Sequence, residues 1–372
     1  MASPQSVIWP IDSHTHAKHE ILRRYIQAWL PIMTKYNERV LVIDGFAGPG
    51  EYKDGEIGSP LIIIDAFLDH NYAQLRQKEV VFLFIEKEEK RCKHLRELLE
   101  QRIQKHEFPQ KASYHVSQGT FNDALTDTLE YLEDRQLTMA PTFAFIDPFG
   151  YSYTPLSIIQ GLMRHPKCEV LITFMYEEIN RFLTANYSTK EQHYNELFGT
   201  QEWQRIAKEA TSPPQRLRQL HDLYRDQLIH LAGATYVRSF RMRNQRNATD
   251  YFLFFGTKSL KGLHRMKQAM CSVDSTGTYE FSDFTNPYQL LLFSQPNYSL
   301  LKQMLLDKFK GKIVNIEEIE HFVIAETPFC TYKTEVLRPM ELSSPPKIEV
   351  IAANSKRRRG TFADSKTNIR FL

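Results

Sequence analysis

The sequence contains few cysteines and no long hydrophobic run. Four cysteines occur among its 372 residues, and their scattered positions do not match the ligand spacing of a zinc site. The sequence therefore predicts no metal centre and four reduced thiols, which are Cys92, Cys168, Cys271 and Cys330. There is no leading apolar segment and no apolar run of about 18 residues, so we expect a cytoplasmic protein without a membrane-spanning helix.

Two common phosphate-binding motifs are also missing. A G-x-G-x-x-G loop and a G-x-x-x-x-G-K-[ST] loop each place backbone amides around phosphate groups, and neither occurs here. The sequence also has no pair of carboxylates at metal-binding spacing, which a nuclease would need. The apolar fraction of 42% is enough to bury a large core in a chain of this length, and we expect two or three domains.

The most informative segment is VLVIDGFAGPG, residues 40–50. Four apolar residues, 40–43, predict a strand buried on both faces, as in a parallel sheet. The glycines that follow allow the backbone to approach a ligand, whereas Pro49 removes one amide donor. A loop of this kind at the carboxyl end of a first strand favours a ligand without phosphate, such as S-adenosylmethionine. The residues expected to contact this cofactor are Asp44, Gly45, Phe46, Gly48 and Gly50.

Two further predicted strands end near polar residues. The strand at 80–85 is followed by Glu86, whose carboxylate can accept hydrogen bonds from the two hydroxyls of a ribose. The alternative is a charge at a helix N-terminus, which the helix dipole favours. Beyond a third strand at 114–117, three side chains could meet the amino group of an adenine: Gln118, Asn122 and Asp123.

A fourth predicted strand, 142–146, runs into the sequence DPFGY at 147–151. A carboxylate and backbone carbonyls can accept hydrogen bonds from an amine, while an aromatic ring stacks on a planar base. The alternative is an ordinary turn, because Asp, Pro and Gly all favour turns. The expected catalytic residues are Asp147, Pro148, Phe149 and Tyr151.

The middle of the chain predicts the rest of one sheet. A fifth strand at 170–176 precedes a helical insertion at about 181–232, and two strands at 235–242 and 250–256 form a terminal hairpin. Arginines near the hairpin tip are expected to contact nucleic acid, with a solvated turn as the alternative: Arg241, Arg243 and Arg246.

The N-terminal segment contains three histidines within six residues, followed by an amphipathic helix at 20–33. No carboxylate or cysteine completes a metal site beside the histidines, so we expect no metal there. We expect Lys18 to pack close to the first strand, where it could neutralise the cofactor's carboxylate or a substrate phosphate. The alternative is a surface lysine.

These motifs together resemble class I S-adenosylmethionine-dependent methyltransferases. The D-P-F-G segment is similar to the [DNS]-P-P-[YFW] motif of amino-methyltransferases that act on adenine or cytosine, although Phe149 stands where that motif has its second proline. More closely, the chain resembles the prokaryotic three-Cys-motif partner family (TcmP). This resemblance implies a partner protein that carries a three-cysteine motif. It is carried by residues 15–33, 42–50, 145–150, 171–182 and 251–270.

The net charge of +3 arises in the last fifth of the chain, where residues 297–372 contain 13 Lys and Arg against 9 Asp and Glu. Three predicted helices, at 299–309, 316–327 and 331–342, precede a hairpin formed by 347–352 and 368–371. Three helices followed by a hairpin is the order of a winged helix-turn-helix. The resemblance to the TcmP family implies the same, because that family ends in such a domain. The third helix would present Tyr332, Lys333 and Arg338, and the hairpin tip would place Lys356, Arg357, Arg358 and Arg359 against phosphates.

The sequence therefore predicts a Rossmann-like α/β methyltransferase domain over residues 1–295 and a winged-helix domain over 296–372. The predicted activity is methyl transfer from S-adenosylmethionine to a nucleobase amine in DNA or RNA, together with a three-Cys-motif partner. The alternative is a non-catalytic adaptor of methyltransferase fold that binds nucleic acid or a partner protein. A solvated basic turn, or a winged helix used for protein contacts, is the alternative to nucleic-acid binding at the hairpin tip.

Overall fold

The computed structural model describes residues 7–8, 13–148, 154–185, 191–274, 276–282, 296–351, 357–362 and 365–372. The chain divides into two compact units. The first, called the α/β unit, comprises Met1–Ala269 and Glu280–Asn286, and the second, called the C-terminal unit, comprises Met270–Tyr279 and Pro287–Leu372.

Eight strands form one sheet in the α/β unit: β1 Arg39–Asp44, β2 Glu79–Glu86, β3 Ala112–Gln118, β4 Thr142–Ile146, β5 Cys168–Phe174, β6 Tyr236–Arg243, β7 Thr249–Thr257 and β8 Glu280–Ser282. Their order is β3-β2-β1-β4-β5-β7-β6-β8. The first five strands are parallel, β7 is antiparallel to both β5 and β6, and β8 is parallel to β6. This topology confirms the predicted methyltransferase-type α/β sheet with a terminal antiparallel hairpin.

Ten helices are described up to the end of this sheet: α1 Ser13–Thr34, α2 Ser59–Leu68, α3 Glu89–Gln104, α4 Phe121–Asp134, α5 Leu156–Arg164, α6 Tyr176–Ala185, α7 Glu191–Phe198, α8 Glu202–Glu209, α9 Pro213–His230 and α10 Leu260–Val273. The central strands are apolar because helices cover both faces of a parallel sheet, and β4 and β5 are buried along their whole length. On one face, Tyr25 of α1 packs against Phe143 and Phe255 with ring centroids 5.1 and 5.0 Å away.

The C-terminal unit has helices α11 Tyr298–Phe309, α12 Ile316–His321 and α13 Arg338–Leu342, and strands β9 Ile313–Asn315, β10 Ile348–Ile351 and β11 Asn368–Phe371. Two π-helical turns, Phe322–Glu326 and Lys333–Leu337, extend the second and third helical segments. The strands form an antiparallel sheet of order β10-β11-β9. The predicted helical segments and hairpin are therefore found, and Asn315 and Glu318 form the expected capping box.

The prediction of four reduced thiols is wrong for two of the cysteines. Cys271 and Cys330 are joined in a disulfide within the C-terminal unit, although 59 residues separate them in sequence. Cys92 and Cys168 are free and buried. Spacing along the chain could not indicate this pair, because only the folded C-terminal unit brings the two sulfur atoms together.

None of the helices in the described part of the chain combines the length and apolar character that a bilayer-spanning helix requires.

Candidate functional site

Three carboxylates lie at the carboxyl ends of three adjacent parallel strands. Asp44 ends β1, Glu86 ends β2, and Asp147 follows β4. Because β1 pairs in parallel with both β2 and β4, the ends of these strands are neighbours. We call this group the strand-end site. It lies at the carboxyl ends of the parallel strands, where open α/β sheets bind ligands.

Asp44 is fully buried, and one of its oxygens lacks a partner. Its Oδ1 accepts a hydrogen bond from the amide of Phe46 across 3.2 Å. The Ser59 hydroxyl also interacts with this carboxylate, but the buried Oδ2 has no partner in hydrogen-bonding geometry among the described residues. Burial raises the pKa of Asp44 to about 7, against the smaller lowering effects of the nearby Ser59 hydroxyl and the Phe46 amide. A buried acceptor of this kind is stabilised by a ligand that brings a donor. The residues therefore fit a ligand with an N–H or O–H group.

Asp147 and Lys18 form an ion pair that joins two residues to which the sequence assigned separate roles. Lys18 Nζ lies 2.5 Å from Asp147 Oδ2, and the Thr173 hydroxyl donates to Oδ1 across 2.5 Å. The ammonium group also lies 5.4 Å from the centre of the Tyr251 ring. Lys18 is only 7% exposed, so it is not a surface lysine. Each carboxylate oxygen has a second lone pair, and Asp147 can still accept from an amine.

Glu86 is held at the end of β2 with 5% exposure. Its Oε1 accepts the amide of Glu88 across 2.8 Å, and a guanidinium nitrogen of Arg91 lies 4.0 Å from the same oxygen. The backbone carbonyl of Glu86 accepts the amide of Gly119 across 3.0 Å. The carboxylate is thus oriented at the strand tip, as a ribose contact requires. It also accepts an amide just before α3, which agrees with the alternative interpretation of Glu86 as a charge at a helix N-terminus.

Two glycines of the first loop are also fitted to side chains of the neighbouring helices. A β-carbon at Gly45 would lie 2.5 Å from the Phe121 ring, and one at Gly50, where φ is +88°, would lie 2.7 Å from Leu95. The amide of Gly45 is bonded to the carbonyl of Phe145 across 2.9 Å. Packing within the chain therefore disfavours a side chain at Gly45 and Gly50, and their contact with a ligand stays a prediction. Gly48 has a left-handed φ of +61°.

The other predicted site residues are only partly described. Phe46 packs against Phe121 with ring centroids 5.8 Å apart. Asn122 lies in the first turn of α4, which Thr120 caps by accepting the amide of Asp123. Pro148 is buried beside Asp147. Phe149 and Tyr151 lie outside the described residues.

Several polar residues near Lys18 were not identified from the sequence. His14 Nε2 lies 3.5 Å from Asp250 Oδ2, and the Tyr251 hydroxyl donates to the carbonyl of His14 across 3.3 Å. Thr173, which positions Asp147, is the residue before the last of β5. The signal available in the sequence was the polar pair Asp250-Tyr251 at the start of β7, opposite in direction to β5. Among the described residues, no group of three or more His, Cys, Asp or Glu side chains could hold a metal ion.

The arginines predicted to contact nucleic acid at the β6–β7 hairpin mostly bond to other side chains of this chain. Arg241 bonds Thr249 across 2.6 Å and Glu280 across 3.3 Å. Arg243 pairs with Glu280 across 2.8 Å, and Arg246 is exposed in the turn. The physical reason is β8, a three-residue strand that the sequence analysis missed and that places Glu280 opposite Arg241.

The predicted presentation of the third helical segment in the C-terminal unit also needs correction. Tyr332 is 4% exposed and donates its hydroxyl to Glu320 across 3.2 Å, so it faces the interior. Lys333 Nζ pairs with the same carboxylate across 3.3 Å. Arg357 pairs with Glu341. Lys356 lies outside the described residues.

No protein-family model matches the chain, and no curated protein matches it. Solved structures that resemble it include a Legionella pneumophila protein, with 10% identity, a TM-score of 0.38 and coverage of 66% of this chain and 86% of that one. Human methyltransferase-like protein 13, solved with SAH, has 11% identity and a TM-score of 0.37 and covers 70% of this chain and 91% of its own. The methyltransferase domain of bacterial CtHen1-C has 11% identity and a TM-score of 0.30 over 64% of this chain and 100% of that one. All three TM-scores are below 0.5, and the site assignments rest on the geometry of this chain.

Proposed function

We propose that the α/β unit binds S-adenosylmethionine at the strand-end site and transfers its methyl group to an exocyclic amine of a nucleobase in DNA or RNA. The observation that carries this proposal is the unpartnered buried oxygen of Asp44, at the end of a strand flanked by the strands that position Glu86 and Asp147. The methyltransferase-type strand order supports it. A protein partner with a three-cysteine motif, implied by the TcmP resemblance, is part of the same proposal.

The residues of the strand-end site divide into binding and orienting roles. Glu86 accepts hydrogen bonds from the ribose hydroxyls, and Asp44 accepts one from a donor of the ligand. Lys18 places one positive charge beside these carboxylates, which suits the carboxylate of the cofactor. The bound cofactor supplies an electrophilic methyl group, so the protein has to orient an amine and exclude water rather than create a nucleophile. Asp147, fixed by Lys18 and Thr173, accepts a hydrogen bond from that amine.

Cofactor binding is tested by calorimetric titration of the full chain with S-adenosylhomocysteine. Glu86→Ala removes both ribose hydrogen bonds, and we expect at least a tenfold higher Kd, since hydrogen bonds to a charged group contribute about 1.5–3 kcal/mol. Glu88→Ala is the matched control because Glu88 is exposed and its side chain makes no capping bond. Unchanged affinity in Glu86→Ala would remove the ribose role.

Methyl transfer is tested with methyl-labelled cofactor and mixed DNA and RNA, with and without the three-cysteine partner. We expect label in nucleic acid, and we expect Asp147→Ala to abolish it while cofactor affinity changes less than threefold. Asp54→Ala serves as control because Asp54 is an exposed carboxylate in the loop after Gly50. Transfer retained in Asp147→Ala would exclude Asp147 from orienting the amine.

One observation favours a second candidate, the non-catalytic adaptor. Both oxygens of Asp147 already accept hydrogen bonds from the chain itself, one from Lys18 and one from Thr173. A carboxylate so occupied can serve structure alone. Cofactor and nucleic-acid binding without transfer, in the presence and absence of the partner, would support the adaptor and contradict the enzyme.

A further inference from the structure

A short loop in the C-terminal unit folds back onto one buried carboxylate. Glu341 of α13 is 4% exposed, and its two oxygens bind the guanidinium of Arg357. Its Oε2 also accepts the amide of Gly360 across 2.7 Å, and its backbone carbonyl accepts a guanidinium hydrogen of Arg359 across 2.9 Å. Arg357 further donates to the carbonyl of Thr361 across 2.7 Å. Residues 357–361 are therefore tied to Glu341 of α13 by several hydrogen bonds.

The same loop lies directly against a second arginine. Gly360 has a φ of +80°, and a β-carbon there would lie 2.9 Å from Cγ and 3.2 Å from Nε of Arg338. Only glycine combines this left-handed backbone with such a close approach. Arg338 lies three residues before Glu341 in α13, so both side chains face the loop. The fold thus places Arg338 against the loop that carries Arg358 and Arg359, about twenty residues away in sequence.

These three residues form what we call the arginine surface: Arg338, Arg358 and Arg359. All three are exposed. In the described part of the chain, the only ion pair of Arg338 or of residues 357–359 is that between Arg357 and Glu341. Of these four arginines, Arg357 bonds the Glu341 carboxylate, whereas Arg359 bonds only its backbone carbonyl. Other cations of the C-terminal unit are paired with carboxylates, including Lys308 with Glu326 and Arg370 with Glu349.

Clustered arginines repel one another, so a fold that holds three together at the surface is stabilised by an anionic partner. Guanidinium groups bind phosphate oxygens in a bidentate manner, and phosphate contacts position a protein on nucleic acid without reading sequence. We propose that the arginine surface binds the phosphate backbone of nucleic acid. This inference rests on the proposed function for the class of macromolecule. Of the residues predicted to face nucleic acid it keeps Arg338, Arg358 and Arg359 and omits Lys333 and Arg357, which pair with Glu320 and Glu341.

The test is fluorescence anisotropy with the full chain and labelled single-stranded DNA, duplex DNA and RNA, without cofactor. The variant replaces Arg338, Arg358 and Arg359 by Gln, and we expect its Kd to rise at least tenfold on every oligonucleotide the protein binds. The dependence of log Kd on log salt should become shallower by about two, because each phosphate contact contributes roughly 0.7–0.9 to that slope.

A charge-matched control replaces Lys308, Lys312 and Arg370 by Gln. Two of these side chains pair with carboxylates, and the third, Lys312, donates to the carbonyl of Lys308 across 3.3 Å. We expect less than a twofold change in Kd. Thermal melting checks that both variants remain folded, and singly substituted Arg358→Gln, at an exposed loop position, keeps the test open if a triple variant unfolds.

Several results would overturn the proposal. These are equal losses in the two triple variants, unchanged affinity in the arginine variant, or an unmodified protein that binds no oligonucleotide. Binding of an acidic protein that the arginine variant loses while keeping its oligonucleotide affinity would likewise refute it and indicate a protein partner. Failure of the proposed methyl transfer is distinguishable from failure of this proposal, because Glu86→Ala should raise the Kd for the cofactor at least tenfold and leave oligonucleotide affinity unchanged.

Discussion

At the residue scale, Asp44 is a buried acid at the centre of the strand-end site. Burial raises its pKa to about 7 from an ordinary value of 3.8. Between pH 4 and 7 the folded protein therefore holds a proton that the unfolded chain has lost, so the free energy of unfolding falls as the pH rises through this window. We predict that Asp44→Asn removes this loss and raises stability at pH 8, with an upper limit on the order of 4 kcal/mol.

Urea unfolding at pH 5 and pH 8 measures the effect of Asp44→Asn on each free energy of unfolding. The exposed residue Asp54 provides the control, since Asp54→Asn should leave the pH dependence unchanged. A variant as pH-sensitive as the original chain between these two values would show that Asp44 is already ionised at pH 5.

His19 should act in the opposite direction. Burial, with the charge of Lys18, lowers the pKa of His19 to about 3 from an ordinary 6.5. Below pH 6.5 His19 is therefore protonated in the unfolded chain but not in the folded one. The free energy of unfolding consequently falls as the pH falls from 6.5 toward 3. We predict that His19→Gln relieves about 2 kcal/mol of this loss at pH 5. Thermal melting from pH 7.5 to 5 checks it against His106→Gln, at an exposed position. Parallel melting curves for the two variants would contradict the prediction.

The position of a single residue in the fold could be predicted only where the adjacent sequence indicates the secondary structure. Asp44, Glu86 and Asp147 each follow a strongly apolar run, so their places at strand ends were predictable. The pairing of Lys18 with Asp147 was not, because 129 residues separate them and α1 has to dock on the sheet before they meet. A lysine in the first turns of a helix has the same sequence signature whether it is exposed or, like Lys18 in α1, only 7% exposed.

At the element scale, the loop after β1 and helix α4 are fitted to each other. Gly45 contacts the Phe121 ring where any larger residue would place its β-carbon. We predict that Gly45→Ala destabilises the α/β unit by about 1–3 kcal/mol, in the range of overpacked cores. Phe121→Leu in the same chain should recover part of that loss, and the double-mutant cycle measures the coupling by chemical unfolding. Additive losses in the double variant would show that the two residues do not oppose each other.

Strands were predicted more accurately than the contacts between them. All seven strands expected in the sheet are found within two residues of their predicted bounds, because buried runs of apolar residues have few other uses in an α/β domain. The eighth strand, Glu280–Ser282, has three residues and no such run. Because this strand was not predicted, the pairing of Glu280 with Arg241 and Arg243 was not predicted either.

At the scale of the whole molecule, the proposed cofactor site and the arginine surface belong to different compact units. The strand-end site is built wholly within the α/β unit, and the arginine surface wholly within the C-terminal unit. Composition predicted this division, because the positive excess is confined to residues 297–372. Composition could not show which cations remain available, since the capture of Arg357 by Glu341 and of Lys333 by Glu320 depends on the path of the folded chain.

This division predicts how kinetic defects should separate in the proposed methyl transfer reaction. Replacement of Arg338, Arg358 and Arg359 by Gln removes contacts made equally in the ground and transition states, so the KM for nucleic acid should rise about tenfold with kcat unchanged. Glu86→Ala should instead raise the KM for the cofactor alone. Steady-state titration of each substrate at saturation of the other measures both effects. A rise in the KM for the cofactor in the arginine variant would contradict independent sites, because two surfaces that bind different ligands without coupling cannot change each other's affinity.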